Sequence, residues 1–222
     1  MTLTGFSNNI SRIAEKNDSS PTVQSFKNLA KQNCVGIIFG VVFEESKKAS
    51  NNAIFLDKTG QILGTYKKIH PFSLSGENKF YVSGNLLKIV EFDSFSIGLT
   101  ICYDLRFPVW ARQQQQNDEP EFDILLYVAN WPQRRAHAWK TLLTARAIEN
   151  QAYVIGVNRV GNDGNKIYHS GDSMVIDALG EVLFHQADDE TVFTITLQKE
   201  SLQQTRNKFP FLHDADDFTI LA

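Results

Sequence analysis

Cys102 carries the most reactive side chain in a sequence with only one other cysteine, Cys34. It directly follows the apolar run Phe95–Ile101 and precedes Pro108, near which the sequence predicts the start of a helix. The C-terminal edge of a buried strand is where α/β proteins place their active sites. A helix N-terminus close by lowers a thiol's pKa and raises its thiolate fraction. A thiol so placed can attack a carbonyl carbon once a base or a cation activates it. The same position also suits a small core residue, which free cysteine often is. Lys67 to Asn85 is the other stretch with chemical potential: few apolar anchors, several Gly, Ser and Asn, and within it Lys68 and Glu77. Long connections of this kind are usually functional. Taken one at a time, Lys68 reads as a solvated lysine and Glu77 as a carboxylate holding a turn.

These residues need elements to position them. Residues 1 to 20 read as loop. Ser20-Pro21 then has the form of an N-cap with proline in the first turn. Val23, Phe26, Leu29 and Ala30 continue at helical spacing to about Gln32. Val35 to Phe43 is a β-branched apolar run, the pattern of a strand buried on both faces. Ala53–Leu56 and Gln61–Tyr66 flank Asp57-Lys58-Thr59-Gly60 and predict a hairpin. Leu87–Phe92, Phe95–Ile101, Phe122–Val128, Tyr153–Val157 and Val192–Leu197 are predicted strands. Helices are predicted from Pro108 to about Gln116 and from Ala136 to Asn150, with a short one after Leu197. Ser173–Ile176 and Glu181–Phe184 form a second predicted hairpin. Its stretch Met174–Leu183 repeats the pattern of Ile54–Leu63, including Asp-x-x-Gly at the turn. Each hairpin follows a helix and a buried strand, so two similar halves are expected. Strand–D-x-x-G–strand is also a common hairpin, so the repeat alone leaves both readings open. In the second half a strand, a helix and a strand come first. By symmetry, a strand–helix–strand unit is expected upstream of Met1.

The composition narrows the function classes. A chain of 222 residues fits one large domain over residues 1–222. The formal net charge of -3 offers no pull toward nucleic acid or an anionic membrane. No apolar run is long enough to span a bilayer, and Met1 to Asn8 lack the pattern of a signal peptide. Two cysteines do not make a disulfide framework, which points to a reducing, cytoplasmic setting. The five histidines do not fall at metal-ligand spacing, so no metal and no cofactor are expected. Gln113–Gln116 reads as a helix end and loop.

Several separated segments then agree with one another. Cys102-Tyr103-Asp104-Leu105-Arg106-Phe107-Pro108 resembles the nucleophile segment of the carbon–nitrogen hydrolase (nitrilase) superfamily. Tyr66-Lys67-Lys68-Ile69-His70-Pro71-Phe72 is similar to its lysine segment, which implies a catalytic role for Lys68. Ser75-Gly76-Glu77-Asn78 matches the second glutamate that often supports the site. Tyr127 to Pro132, Ala145 to Gln151 and Gly171-Asp172-Ser173 also match, in the expected order along essentially the whole chain. The resemblance implies an α/β fold, a four-layer α-β-β-α sandwich lacking its first strand–helix–strand, and commonly a homodimer. It implies thiolate attack on an amide carbon, loss of ammonia or an amine, and hydrolysis of a thioester. The fine detail is most similar to bacterial omega-amidases, so a small 2-oxo dicarboxylic monoamide is the expected substrate.

Within that frame Lys68 favours the thiolate and the later oxyanion, and the backbone N–H of Tyr103 is a second donor. Arg106 suits bidentate recognition of a substrate carboxylate; an ion pair with Asp104 or Asp172 is the competing reading, slightly favoured. Phe72, Asn130 and Trp131 are candidates for the acyl pocket, although aromatics are more often core. The family's base glutamate precedes a segment that Met1-Thr2-Leu3-Thr4-Gly5-Phe6 resembles, which places that base one residue upstream of Met1. The chain by itself is therefore expected to be impaired. A non-catalytic scaffold acting through its dimer surface is a second reading. A Cys-His-Glu amidotransferase is a third, with His169 as its base. It is disfavoured because no glycine follows Cys102.

Overall fold

The computed structural model describes residues 1–116 and 119–220. After the short helix α1 (Ile10–Ile13), α2 spans Pro21–Asn33. Its start is as expected: Ser20 Oγ accepts from the Val23 N–H at 3.1 Å, and proline occupies the first turn. Strands β1 (Ile37–Glu45), β2 (Lys48–Leu56) and β3 (Ile62–Lys67) form a three-stranded antiparallel sheet. The next stretch carries the one-turn helix α3 (Glu77–Phe80), then β4 (Lys88–Phe92) and β5 (Phe95–Ile101). A minimal ladder, β6 (Gln115–Gln116) with β7 (Glu119–Pro120), leads to β8 (Ile124–Ala129), α4 (Ala136–Asn150) and β9 (Tyr153–Asn158). After β10 (Val160–Asn162), β11 (Tyr168–Ile176) and β12 (Val182–Ala187), helix α5 (Lys199–Lys208) closes the regular structure. The second sheet has seven strands in the order β10-β11-β9-β8-β5-β4, with β12 also paired to β11. Its centre, β5-β8-β9, is parallel.

The layers follow from side-chain alternation, since successive strand residues point to opposite faces. Phe39, Val41 and Phe43 of β1, with Ile54 and Leu56 of β2, pack on Val23 and Ala30 of α2. Ala53, Phe55 and Tyr66, from the other face of that sheet, meet Val90, Leu99, Ile101 and Leu126 of the second sheet. Leu125, Tyr127, Val154 and Met174 face outward against Trp139, Leu143 and Ala147 of α4. The order is therefore helix, sheet, sheet, helix. Strands β1, β5 and β8 are covered on both faces, which is why they read as continuous apolar runs.

The repeat is real in three dimensions. Asp57 Oδ1 accepts from the N–H groups of Thr59 (2.8 Å) and Gln61 (2.9 Å), and Asp177 Oδ1 accepts from Leu179 and Glu181, both at 2.9 Å. Gly60 and Gly180 end the two turns with φ of 76° and 89°. Both hairpins also carry a bulge one step before the turn, at Phe55/Leu56 and Val175/Ile176.

Two expected elements are absent among the described residues. No α-helix runs from Pro108 to Gln116: a 3-10 turn covers Pro108–Ala111 only. Beyond it, the Gln113 N–H donates to Asn150 Oδ1 at 2.7 Å and Gln113 Nε2 to the Asn150 carbonyl at 2.6 Å. Those bonds to the end of α4 replace the ones a helix would have made. Val192–Leu197 is not a strand either. It attaches through side chains, with Phe193 stacked on Phe184 at 3.9 Å, while Val192 is 96% exposed. In the other direction, β2 begins five residues before Ala53; the polar run Lys48 to Asn52 had concealed it.

Candidate active site

Cys102 directly follows β5 with φ of 48°, left-handed for a non-glycine residue. Such a conformation costs about 1–3 kcal/mol and clusters at functional sites. A 3-10 turn over Cys102–Arg106 follows directly. Among the described residues only 3-10 turns, not a long helix, begin beside the thiol, so the expected lowering of its pKa from that source is not found. Burial instead pushes the Cys102 thiol above its ordinary value. The Lys68 ammonium and, after it, a backbone hydrogen bond from Asn130 pull the other way, while Glu77 and Asp104 add to the rise; the Sγ–H itself points to the Asn130 carbonyl at 3.9 Å.

Lys68 and Glu77 form a buried ion pair, Nζ to Oε2 at 2.6 Å, with neither side chain more than 4% exposed. Glu77 Oε2 also accepts from the Phe72 N–H at 2.5 Å, and Oε1 accepts from Asn51 Nδ2 at 3.2 Å. The Lys68 N–H extends the β2 ladder by donating to the Asn51 carbonyl at 2.9 Å. Neither residue is solvated: the loop folds inward and spends both charges on each other. Asp104, the other carboxylate facing the thiol, is committed too, accepting from Tyr66, His70 and Ile101.

Cys102, Lys68, Tyr103, Arg106, Phe72, Asn130 and Trp131 all line one cavity of about 700 Å³. Glu77 stands behind it, reached through Lys68. The ion pair slightly favoured for Arg106 is not formed among the described residues. Asp104 is spent as above, and Asp172 pairs with His185 (2.9 Å) and Lys140 (3.2 Å). The Arg106 guanidinium lies over the Trp131 ring at 4.9 Å. Trp131 is nearly fully buried and packs on Trp139 at 5.5 Å between centroids, so it is both core and cavity wall.

Three residues that sequence reasoning missed complete the site. Arg135 lies over the Phe72 ring at 5.1 Å and lines the same cavity. Burial first, then the like charges of Arg134 and Arg106, holds its pKa below the ordinary arginine value, against the pull of Cys102 and Tyr103. Asn158 fixes the wall: its Oδ1 accepts from the Trp131 N–H at 2.7 Å, and its Nδ2 donates to the carbonyls of Trp131 (3.0 Å) and Gly171 (2.7 Å). Asn51 holds Glu77. The only available signal for Arg135 was its closeness to Trp131-Pro132; Asn51 and Asn158 sit inside strands where a polar residue looks incidental.

His169 also lines the cavity, but its Nδ1 faces the Ile167 carbonyl at 2.9 Å, and the hydrogen-bond contact of Cys102 Sγ is with Asn130. Burial lowers the His169 pKa. Among the described residues no three His, Cys, Asp or Glu side chains converge as a metal site requires.

Residues 1–207 match the family described as carbon-nitrogen hydrolase. Relatives include the omega-amidase YafV of Yersinia enterocolitica, 45% identical over 174 residues that cover 78% of this chain and 66% of that protein. The 2-oxoglutaramate amidase of Bacillus subtilis (strain 168) is 32% identical over 208 residues, 93% of this chain and 78% of the relative. Here the chain spans about two thirds of the Yersinia protein's length. Among solved structures, XC1258 from Xanthomonas campestris, a CN-hydrolase superfamily protein with an arsenic adduct in its active site, superposes with a TM-score of 0.93. It is 38% identical, and the match covers 97% of this chain and 82% of that one.

Proposed function

The chain belongs to the carbon–nitrogen hydrolase family, and from that premise we propose that it hydrolyses the omega-amide of small 2-oxo dicarboxylic monoamides of the 2-oxoglutaramate type. The products are ammonia and the 2-oxo dicarboxylate. The observation that carries this reading is one cavity lined by a thiol, a buried lysine, and two arginines that have no carboxylate partner among the described residues. Relatives carrying the omega-amidase and 2-oxoglutaramate amidase names support the substrate class.

In this reading the Cys102 thiolate attacks the amide carbon. The Lys68 ammonium favours the thiolate and then the tetrahedral oxyanion, with the Tyr103 N–H as a second donor; one such donor is typically worth about 3 kcal/mol. Glu77 pairs with Lys68 and aims it. The proton lost by the Cys102 thiol ends on the departing nitrogen, so ammonia leaves and a thioester remains on Cys102; water then adds to the thioester carbon, the C–S bond breaks, and one proton of the water returns to the Cys102 sulfur as the acid is released. Arg106 receives the substrate's own carboxylate at the far end, Arg135 contributes positive field, and Phe72, Asn130 and Trp131 shape the acyl channel. The reaction needs no metal or cofactor.

We also take residues 1–222 as one domain, because Arg206 of α5 binds Asp123 (2.9 Å) and the Phe122 carbonyl (2.8 Å) just before the central strand β8. A cytoplasmic homodimer is the proposed state. The unpaired Cys34 and Cys102 agree with a reducing compartment, and among the described residues no helix is long and apolar enough to cross a membrane.

The test is ammonia release from 2-oxoglutaramate and from a neutral amide of similar length. Cys102→Ala should abolish both. Arg106→Ala should raise KM for the acidic amide by about 10- to 100-fold, the scale of a charge-assisted hydrogen bond, and leave the neutral amide nearly unchanged. Equal effects on both would remove Arg106 from substrate recognition. No ammonia from any amide would sink the amidase reading for this chain.

A further inference from the structure

Glu77 accounts for the tip of Lys68 but not for what holds that lysine's backbone beside Cys102. Asp104 lies two residues after Cys102 and is 4% exposed. Among the described residues it has no lysine or arginine partner. Burying a carboxylate in that way is costly unless its lone pairs are filled, and here they are. Oδ2 accepts from the Tyr66 hydroxyl at 2.8 Å and the Ile101 N–H at 3.0 Å. Oδ1 accepts from the His70 N–H at 3.0 Å and from His70 Nδ1–H at 2.9 Å, which sets that ring's tautomer.

The donors are not arbitrary. Tyr66 and His70 stand two residues before and two after Lys68, and Ile101 immediately precedes Cys102. The Tyr66 hydroxyl also accepts from the Ile69 N–H at 3.3 Å, so the residue next to Lys68 is tied in as well. His70 is further pinned by stacking on Phe107 at 3.9 Å. We propose that Asp104 is a positioning residue, a four-bond clamp that holds both flanks of Lys68 against the strained turn at Cys102. It touches neither substrate nor reacting atom; it acts through Lys68. This rests on the reading above, in which Cys102 and Lys68 work as a pair.

Asparagine cannot replace this carboxylate without loss. Whichever oxygen becomes an amide NH₂, a backbone N–H, of Ile101 or of His70, is left facing a donor. The geometric and electrostatic effects of Asp104→Asn therefore have opposite signs. Among the described residues, the charged groups facing Cys102 are Lys68, Glu77, Asp104 and Arg135. Removing the Asp104 charge alone makes the thiolate easier to form. Letting Lys68 drift makes it harder.

The experiment is the pH dependence of iodoacetamide labelling at Cys102 in the full chain, for wild type, Asp104→Asn and Tyr66→Phe, with kcat and KM measured alongside. Tyr66→Phe leaves every charge in place, so any change it causes is geometric. Labelling at pH 7 should slow about tenfold in Asp104→Asn and about threefold in Tyr66→Phe, the scale of charged and neutral hydrogen bonds. kcat should fall in the same order, with KM for the acidic amide within about twofold of wild type because the Arg106 end is untouched. Faster labelling in Asp104→Asn, or wild-type labelling in folded Tyr66→Phe, overturns the clamp. If Asp104→Asn does not fold, Tyr66→Phe decides alone. A wild-type chain that releases no ammonia defeats the amidase reading, and the labelling comparison still decides the clamp.

Discussion

At the scale of single residues, the site depends on a pair of charges taken out of water together. Lys68 and Glu77 are 2.6 Å apart and almost wholly buried. Removing one partner of such a pair typically costs about 3–5 kcal/mol, because the other is left charged and unpaired. Lys68→Met should therefore destabilise the protein by that amount in urea unfolding. Lys68→Met combined with Glu77→Gln should recover most of the loss. A single variant as stable as wild type would mean that the pair is open to water. The same lysine acts on the thiol. Burial raises the Cys102 pKa and Lys68 opposes the rise, so the labelling rate of wild-type Cys102 should keep climbing to a higher pH than that of a free small thiol. The double variant, still folded, should move that limb higher again.

At the scale of elements, the two hairpins carry matching turns, and each turn leans on the helix of its own half. A Cβ on Gly60 would lie 2.7 Å from the Lys27 carbonyl oxygen of α2, and one on Gly180 would lie 2.7 Å from Ile148 Cδ1 of α4. Both positions are left-handed, which costs an L-residue about 1–2 kcal/mol. The neighbours then separate them. Ile148 Cδ1 is the end of a flexible side chain and can move, whereas a helix carbonyl cannot. Gly60→Ala should cost more stability than Gly180→Ala in parallel denaturant titrations, and the reverse order would mean that the first turn is less tightly seated on its helix. This equivalence was legible in the sequence as Asp-x-x-Gly between apolar runs, because the turn chemistry is local. The helix expected after Pro108 was not, because Gln113 is claimed by Asn150, a residue 37 positions away.

At the scale of the whole molecule, the stack of helix, sheet, sheet and helix covers both faces of β1, β5 and β8 and leaves a cavity at the C-terminal end of the central parallel strands. β5 delivers Cys102 there, and the turn after β8 delivers Asn130 and Trp131. Apolar groups nevertheless remain at the surface, among them Val157, Val182 and Val192, which are 49%, 50% and 96% exposed. With the proposed homodimer, light scattering should return twice the 25.1 kDa chain mass. The chain mass alone, at micromolar concentration, would make it a monomer.

The sequence by itself determined what depends on neighbours in the chain: the buried strands, the capped helix α2, the span of α4, the repeated turns, and Cys102 at a strand end. It also brought Lys68, Glu77, Arg106, Phe72, Asn130 and Trp131 forward as candidates, through short motifs that resemble a family. Tertiary structure alone decided what those residues are attached to. Lys68 could be read as a surface lysine until its loop folded it onto Glu77. Arg106 could be read as an ion-pair partner until Asp104 and Asp172 were found spoken for. Asn51 and Asn158 carried no local signal, and Arg135 only its closeness to Trp131-Pro132. The physical reason is the same in each case: hydrogen bonds and ion pairs are short-ranged, and whether a polar side chain is exposed, paired or aimed into a cavity depends on groups that only folding brings within about 3 Å.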